Sequence, residues 1–160
     1  TLLFARQDAG RRDGARAIDL RRELETLVAL RREMGQTVVL APDIAARVWS
    51  SPLALRRMLD NLIDNAVRYG GAVTLDVRRL EGQVEIMVLD DGPGLPAEAL
   101  AARTARFERG ESSRNRRTGG AGLGLSIVQA LAKGQGGRLV LSNRPEGGLA
   151  ATITLPSDAP

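Results

Sequence analysis

The stretch SPLALRRMLDNLIDNAVRYG, residues 51–70, decides how the rest of the chain is read. Ser51 followed by Pro52 marks a helix start: a hydroxyl that can accept from a free N–H, then a residue whose φ already suits the first turn. Gly70-Gly71 ends the run. At 100° per residue Leu55, Leu59, Leu62 and Ala66 form an apolar stripe, and Asn61, Asn65 and Arg68 lie almost opposite it. A solvated polar face is the plain explanation. Asparagine is nevertheless a poor helix former, and two of the chain's four asparagines stack here at i, i+4 beside an arginine. An amide oxygen can ligate Mg²⁺, and an arginine one turn on can meet the same phosphates.

Working outward, Asp19 is a plausible N-cap for a helix over about 20–34, with Leu20, Leu24, Leu27, Val28 and Ala29 on its apolar face and Gly35 at its end. Two β-rich runs follow, Thr37–Ala41 and Arg47–Ser50. Beyond the central helix, Val73–Arg79 and Val84–Leu89 flank Glu81-Gly82, a hairpin signal. Residues 91–121 read as a long connection rich in glycine, proline and arginine, the length of a functional lid or a disordered segment. A helix resumes over Leu123–Lys133. The strands Arg138–Ser142 and Ala150–Leu155 are joined through Pro145-Glu146-Gly147-Gly148. Residues 1–16 begin apolar and turn polar, like the end of an upstream helix and a linker, leaving 17–160 as one domain. The pattern favours an α/β two-layer sandwich, a mixed sheet on one layer of helices, over a doubly wound parallel sheet.

Composition narrows the chemistry. The 160 residues are 43% hydrophobic and 26% charged but only 2% aromatic, so the core is aliphatic. Cysteine and histidine are both absent, which removes disulfides, thiolate metal sites and the commonest general base. A metal here needs oxygen ligands, which favours Mg²⁺ over zinc. No apolar run approaches the roughly 20 residues that span a bilayer, and no signal peptide is recognisable, so the expectation is a soluble domain. The net charge is +4, with pI near 10.8. Of 23 basic residues one is lysine (Lys133), and the 22 arginines are scattered among acids without aromatic partners. That is a solvated surface rather than a nucleic-acid face.

Two further elements carry chemistry. Asp90-Asp91-Gly92-Pro93-Gly94 follows an apolar strand. It reads as a tight turn, or as a binding edge whose carboxylate accepts from an amine such as that of adenine. Gly119-Gly120-Ala121-Gly122-Leu123-Gly124-Leu125 runs into a helix, where bare backbone N–H groups make an anion site. It follows a loop rather than a strand and lacks Gly-Lys-Ser/Thr, so it is neither a Rossmann fingerprint nor a Walker A motif.

In order and spacing these elements resemble the catalytic ATP-binding domain of bacterial sensor histidine kinases, in the superfamily that includes DNA gyrase, Hsp90 and MutL. The N box is NLIDNAVRY (residues 61–69), the G1 box VLDDGPGL (88–95), a shortened F box FERG (107–110) and the G2 box GAGLGL (120–125). The resemblance covers roughly residues 17–156. It implies a Bergerat-type fold, about five strands on about three helices with ATP under a mobile lid. It also implies residue roles. Asp90 would bind the adenine amine, with Gly92 and Gly94 lining its pocket. Asn65 would ligate Mg²⁺ with Asn61 in support, Arg68 would meet phosphate, and Tyr69 would lie near the nucleoside. Gly120, Gly122, Leu123, Gly124 and Leu125 would form the phosphate loop, and Arg109 would reach the γ-phosphate from the lid. Thr104 and Gln135 depart from the family pattern, which often has Phe and His there.

The ATPase branch carries a glutamate one turn before the Mg²⁺ asparagine. Here that residue is Asn61, which cannot take a proton from water, so phosphoryl transfer to a protein is favoured over hydrolysis. With no histidine, the chain expects its acceptor on a dimerisation domain of the same protein, whose last helical turn Leu2-Leu3-Phe4-Ala5-Arg6 resembles. An aspartate on a response regulator would then receive the phosphate. The fragment is expected to be monomeric and cytoplasmic, its parent an inner-membrane homodimer similar to osmosensing kinases. An anti-sigma-type serine kinase, a catalytically inactive nucleotide module and a nucleic-acid-binding domain are the alternatives.

Overall fold

The computed structural model describes residues 14–109 and 121–160. Residues 1–13, and with them the expected upstream helical turn, lie outside the described residues, as do Gly110 and Gly120.

The chain opens with β1 (Arg16–Asp19), which the sequence pattern did not announce. Its four residues pair antiparallel with β3 (Arg47–Ser50) in a separate two-stranded sheet. Helix α1 (Leu20–Glu33) starts at Asp19, whose side chain accepts from Arg22 N, and Gly35 follows its end at φ +80°. Its buried stripe is Leu20, Leu24, Leu27, Val28 and Arg31. Ala29, expected inside, points outward. The helical period reaches position 31 next, and the residue there is charged, so an apolar pattern search passes over it.

Helix α2 (Pro52–Gly70) is capped as expected: Ser51 Oγ accepts from Ala54 N at 3.2 Å. The main sheet runs β2 (Val38–Leu40), β4 (Val73–Leu80), β5 (Gln83–Asp90), β7 (Leu149–Pro156), β6 (Arg138–Asn143). Only the β2–β4 pairing is parallel, as a mixed sheet requires. Val73, Leu75 and Val77 of β4 alternate inward beside Val84, Ile86 and Val88 of β5 and Ala151, Ile153 and Leu155 of β7. They meet Leu55, Met58, Leu59 and Leu62 of α2 in one aliphatic core.

The expected long loop is interrupted. Ala97–Arg109 forms helix α3, entered through a Leu100 N to Pro96 O bond of 2.9 Å. Its segment AEALAARTARFER is rich in the strongest helix formers and has Glu98 in the first turn, signals masked by the flanking glycines and prolines. Helix α4 (Ala121–Gly134) starts two residues earlier than its apolar pattern suggested. Among the described residues the helices therefore number four. Among the described residues none is long and apolar enough to cross a membrane.

Arg31 ties α1 to α2. Its guanidinium, 5% exposed, donates to Asp64 Oδ1 at 2.5 Å, to Asp60 Oδ1 at 3.0 Å, to the Asp60 carbonyl at 3.3 Å and to Gln36 Oε1 at 3.2 Å. Burial alone would lower the Arg31 pKa. The hydrogen bonds and negative charge of Asp64 and Asp60 outweigh it and raise the value above the ordinary one for arginine. Asp60 and Asp64 each immediately precede an N-box asparagine, so this grip also sets the rotation of α2. Arg31→Ala would leave two carboxylates repelling at i, i+4 and empty a packed site. Because both acids are partly solvated, a loss of about 1–3 kcal/mol is expected in urea unfolding.

Candidate nucleotide site

The site is built on the end of β5, the C-terminal end of α2 and the β6–β7 hairpin, with the start of α4 facing Asn61 on α2. Asp90 is the last residue of β5 and is 4% exposed. Its Oδ1 accepts from Gly92 N at 2.9 Å and from Leu149 N at 3.1 Å. Among the described residues nothing donates to Oδ2. One oxygen thus anchors the carboxylate and the other remains an acceptor, which suits an amine N–H.

The walls approach closely enough to require glycine. A Cβ on Gly70 would lie 2.5 Å from the Asp90 Cβ, and one on Gly92 would lie 2.8 Å from the Tyr69 carbonyl oxygen. A Cβ on Gly148 would overlap the Asp90 carbonyl, and Gly148 sits at φ +95° besides.

Sequence reasoning did not reach the residues that brace this turn. The Asn143 side chain pairs with Leu95 like a strand partner, Oδ1 accepting from Leu95 N at 2.9 Å and Nδ2 donating to Leu95 O at 2.6 Å. That clamp closes over Gly94, whose φ is +72°. Arg144 Nη1 donates to the Asp90 carbonyl at 2.7 Å and to Asp91 Oδ1 at 3.1 Å. The one sequence signal was Asn143 itself, an asparagine ending a strand, where that residue is disfavoured.

The N-box residues divide. Asn61 Nδ2 donates to the Arg57 carbonyl at 2.9 Å, and its Oδ1 faces α4, where a Cβ on Gly124 would lie 3.6 Å away. The N box and the G2 box are therefore in contact. Asn65 Oδ1 is buried and accepts no hydrogen bond among the described residues. An orphaned buried amide oxygen is uncommon and calls for an explanation. Arg68 and Tyr69 are exposed at the end of α2, Tyr69 by 50%. Gly122, Leu123 and Gly124 belong to the first turn of α4, where helical N–H groups lack partners within the helix. Leu125 is 1% exposed and packs in the core. Arg109 ends α3, and its side chain lies outside what the structure describes.

The family model described as "Histidine kinase-, DNA gyrase B-, and HSP90-like ATPase" matches residues 50–159. The sensor histidine kinase component HK1 of Mycobacterium tuberculosis is 38% identical over 120 residues, covering 74% of this chain and 69% of its own. The chain belongs to this family, as an ATP-binding domain of the sensor histidine kinase type. The probable sensor histidine kinase TcrY of the same organism is 33% identical over 98% of this chain. The chain spans about a third of TcrY, 34% of its length. Among solved structures, the ATP-binding domain of PrrB from Mycobacterium tuberculosis superposes with a TM-score of 0.72 at 27% identity, covering 91% of this chain and 99% of that one.

Two neighbouring glycines separate clearance from backbone strain. Gly147→Ala, at φ +105° but with nothing within 4 Å, is expected to cost about 1 kcal/mol. Gly148→Ala adds the clash with Asp90 and is expected to cost about 3 kcal/mol or more in denaturant unfolding.

Proposed function

We propose that this chain binds ATP with Mg²⁺ and donates the γ-phosphoryl group to a histidine on a dimerisation domain of the same protein, for relay to a response-regulator aspartate. The observation that carries the reading is the orphaned Asn65 Oδ1, a buried oxygen ligand one helical turn along α2 from Asn61, which faces the phosphate-loop glycine Gly124. Among the described residues there is no group of three acidic, histidine or cysteine side chains to hold a metal independently. An ion carried in with the nucleotide phosphates needs only one such protein oxygen. When bound, Mg²⁺ would neutralise phosphate charge.

The chain's own residues then divide the work. Asp90 Oδ2 accepts the adenine amine, with Gly92 and Gly94 lining the pocket, while Tyr69 flanks the nucleoside. Arg68 meets phosphate charge, and Arg109 approaches the γ-phosphate from the end of α3. Gly120, Gly122, Leu123 and Gly124 present backbone N–H groups to the phosphates, with Leu125 as the packing anchor behind them. Asn61, bonded to the Arg57 carbonyl, holds the approach to Gly124 and supplies no base for water. Phosphoryl transfer depends mainly on such positioning and charge neutralisation. The 160 residues contain no histidine, so the acceptor is supplied from outside them. The relatives' type supports a membrane-anchored homodimeric parent with this domain in the cytoplasm.

The test titrates ATP with Mg²⁺ into the chain, then adds a histidine-bearing dimerisation domain and looks for acid-labile phosphohistidine. Asp90→Asn should weaken ATP by about tenfold or more, since an amide presents donors where the amine needs acceptors. Asn65→Ala should cut labelling by about 100-fold while adenosine binding persists. Labelling that survives Asn65→Ala would overturn the metal role, and an absence of ATP binding would overturn the whole reading.

A further inference from the structure

Helices α2 and α4 flank the phosphate side of the site and touch at two places. At the site, Asn61 faces Gly124. At the other end, Gln135, just past α4, reaches the N-terminus of α2: its Oε1 accepts from Ser51 N at 2.8 Å and from Ser50 Oγ at 3.4 Å. All three residues are buried, Gln135 at 7%, Ser51 at 7% and Ser50 at 0% exposure. The helices are therefore antiparallel. The spans from Ser51 to Asn61 and from Gly124 to Gln135 match, at about 15 Å and about 17 Å for 1.5 Å per residue.

Ser51 Oγ caps Ala54 N, but Ala54 has no side-chain acceptor to return to Ser51 N, as a glutamate at that position would in a capping box. Gln135 supplies the missing acceptor from another helix. Between the two contacts lie Leu55 and Met58 on α2 and Leu125, Val128, Leu131 and Ala132 on α4, all in the buried aliphatic core. Apolar contact is non-directional and tolerates sliding. The Gln135 bond is directional. Its backbone is also held: Gln135 N donates to Leu131 O at 3.1 Å, Gly137 N donates to Ala132 O at 2.8 Å, and a Cβ on Gly137 would overlap the Thr154 carbonyl. A fixed backbone and a fixed acceptor distance leave α4 one position along α2.

We propose that Gln135 is a positioning residue for the phosphate site. Through Ser51 N it sets the register of α4 along α2, and so the placement of the α4 first turn and Gly124 against Asn61. This rests on the nucleotide reading above. Gln135 touches no nucleotide, and the Asp90 pocket is built from β5 and the β6–β7 hairpin rather than from this seam. A register error should therefore weaken phosphate contacts and spare adenine contacts.

The experiment measures dissociation constants of ATP·Mg and adenosine for the 160-residue chain and its variants by calorimetry, with thermal unfolding alongside. Gln135→Ala should weaken ATP·Mg by about tenfold while adenosine changes less than twofold. Gln135→Glu, whose carboxylate accepts the same N–H, should restore most of the ATP·Mg affinity. Gln135→Asn keeps the amide one methylene short and is the milder variant should the alanine form not fold. It should show the same selective loss. Equal losses for ATP·Mg and adenosine, or a lower Tm with both affinities intact, would overturn the proposal and reduce Gln135 to a helix cap. A wild-type chain that binds ATP·Mg no better than adenosine would overturn the nucleotide reading, and the positioning role with it.

Discussion

A buried carboxylate must be satisfied where it lies, and Asp90 imposes that requirement on everything around it. At the end of the central strand β5 it is nearly out of solvent, where an unpaired charge would be very costly. Its Oδ1 takes one N–H from its own turn and one from Leu149, across the sheet. Those two bonds draw the end of β5, the following turn and the start of β7 to a single point. Only glycine fits at positions 70 and 148 once they have done so. The same bonds leave Oδ2 open, so the acceptor of the pocket is the remainder of a structural solution rather than an addition to it.

Helix α2 carries that geometry to the other half of the site. Its N-terminus is closed by Ser51 and Gln135, its outer side is pinned by Arg31 through Asp60 and Asp64, and its last residue packs against Asp90. Held at three points along its length, the helix has little freedom to rotate or slide. The proposed metal role of Asn65 would need that fixity, because its Oδ1 must stay aimed without a partner among the described residues. The burial of this oxygen with no hydrogen bond among the described residues is a local defect in the packing, which under the proposed function a nucleotide with its ion would repair.

Much of the fold was legible because it rests on local chemistry. The Ser51-Pro52 start, the Gly70-Gly71 stop, the Glu81-Gly82 hairpin and the alternation along β4, β5 and β7 are each set by residues within a few positions of one another. The candidate site residues stood out in the sequence for a similar reason. Asn61, Asn65, Asp90 and Gly124 stand out against the composition of their own segments. Helix α3 was missed although its propensity is local, because its glycine- and proline-rich flanks dominate a reading by punctuation. Strand β1 was missed because four residues with one buried side chain carry no period.

The sequence by itself determined most of the helices and strands in their order, the aliphatic character of the core, the boxes that mark the family, and the absence of histidine from these residues. Tertiary structure alone decided the contacts between residues far apart in the chain. Arg31 meets Asp64 across 33 positions, Leu149 meets Asp90 across 59, and Gln135 meets Ser51 across 84. A periodic pattern records which face of an element is apolar. It holds no record of which polar group on a distant element will complete a buried donor or acceptor. That pairing is settled only when the core closes and water is excluded, since only then does an unmade hydrogen bond become costly.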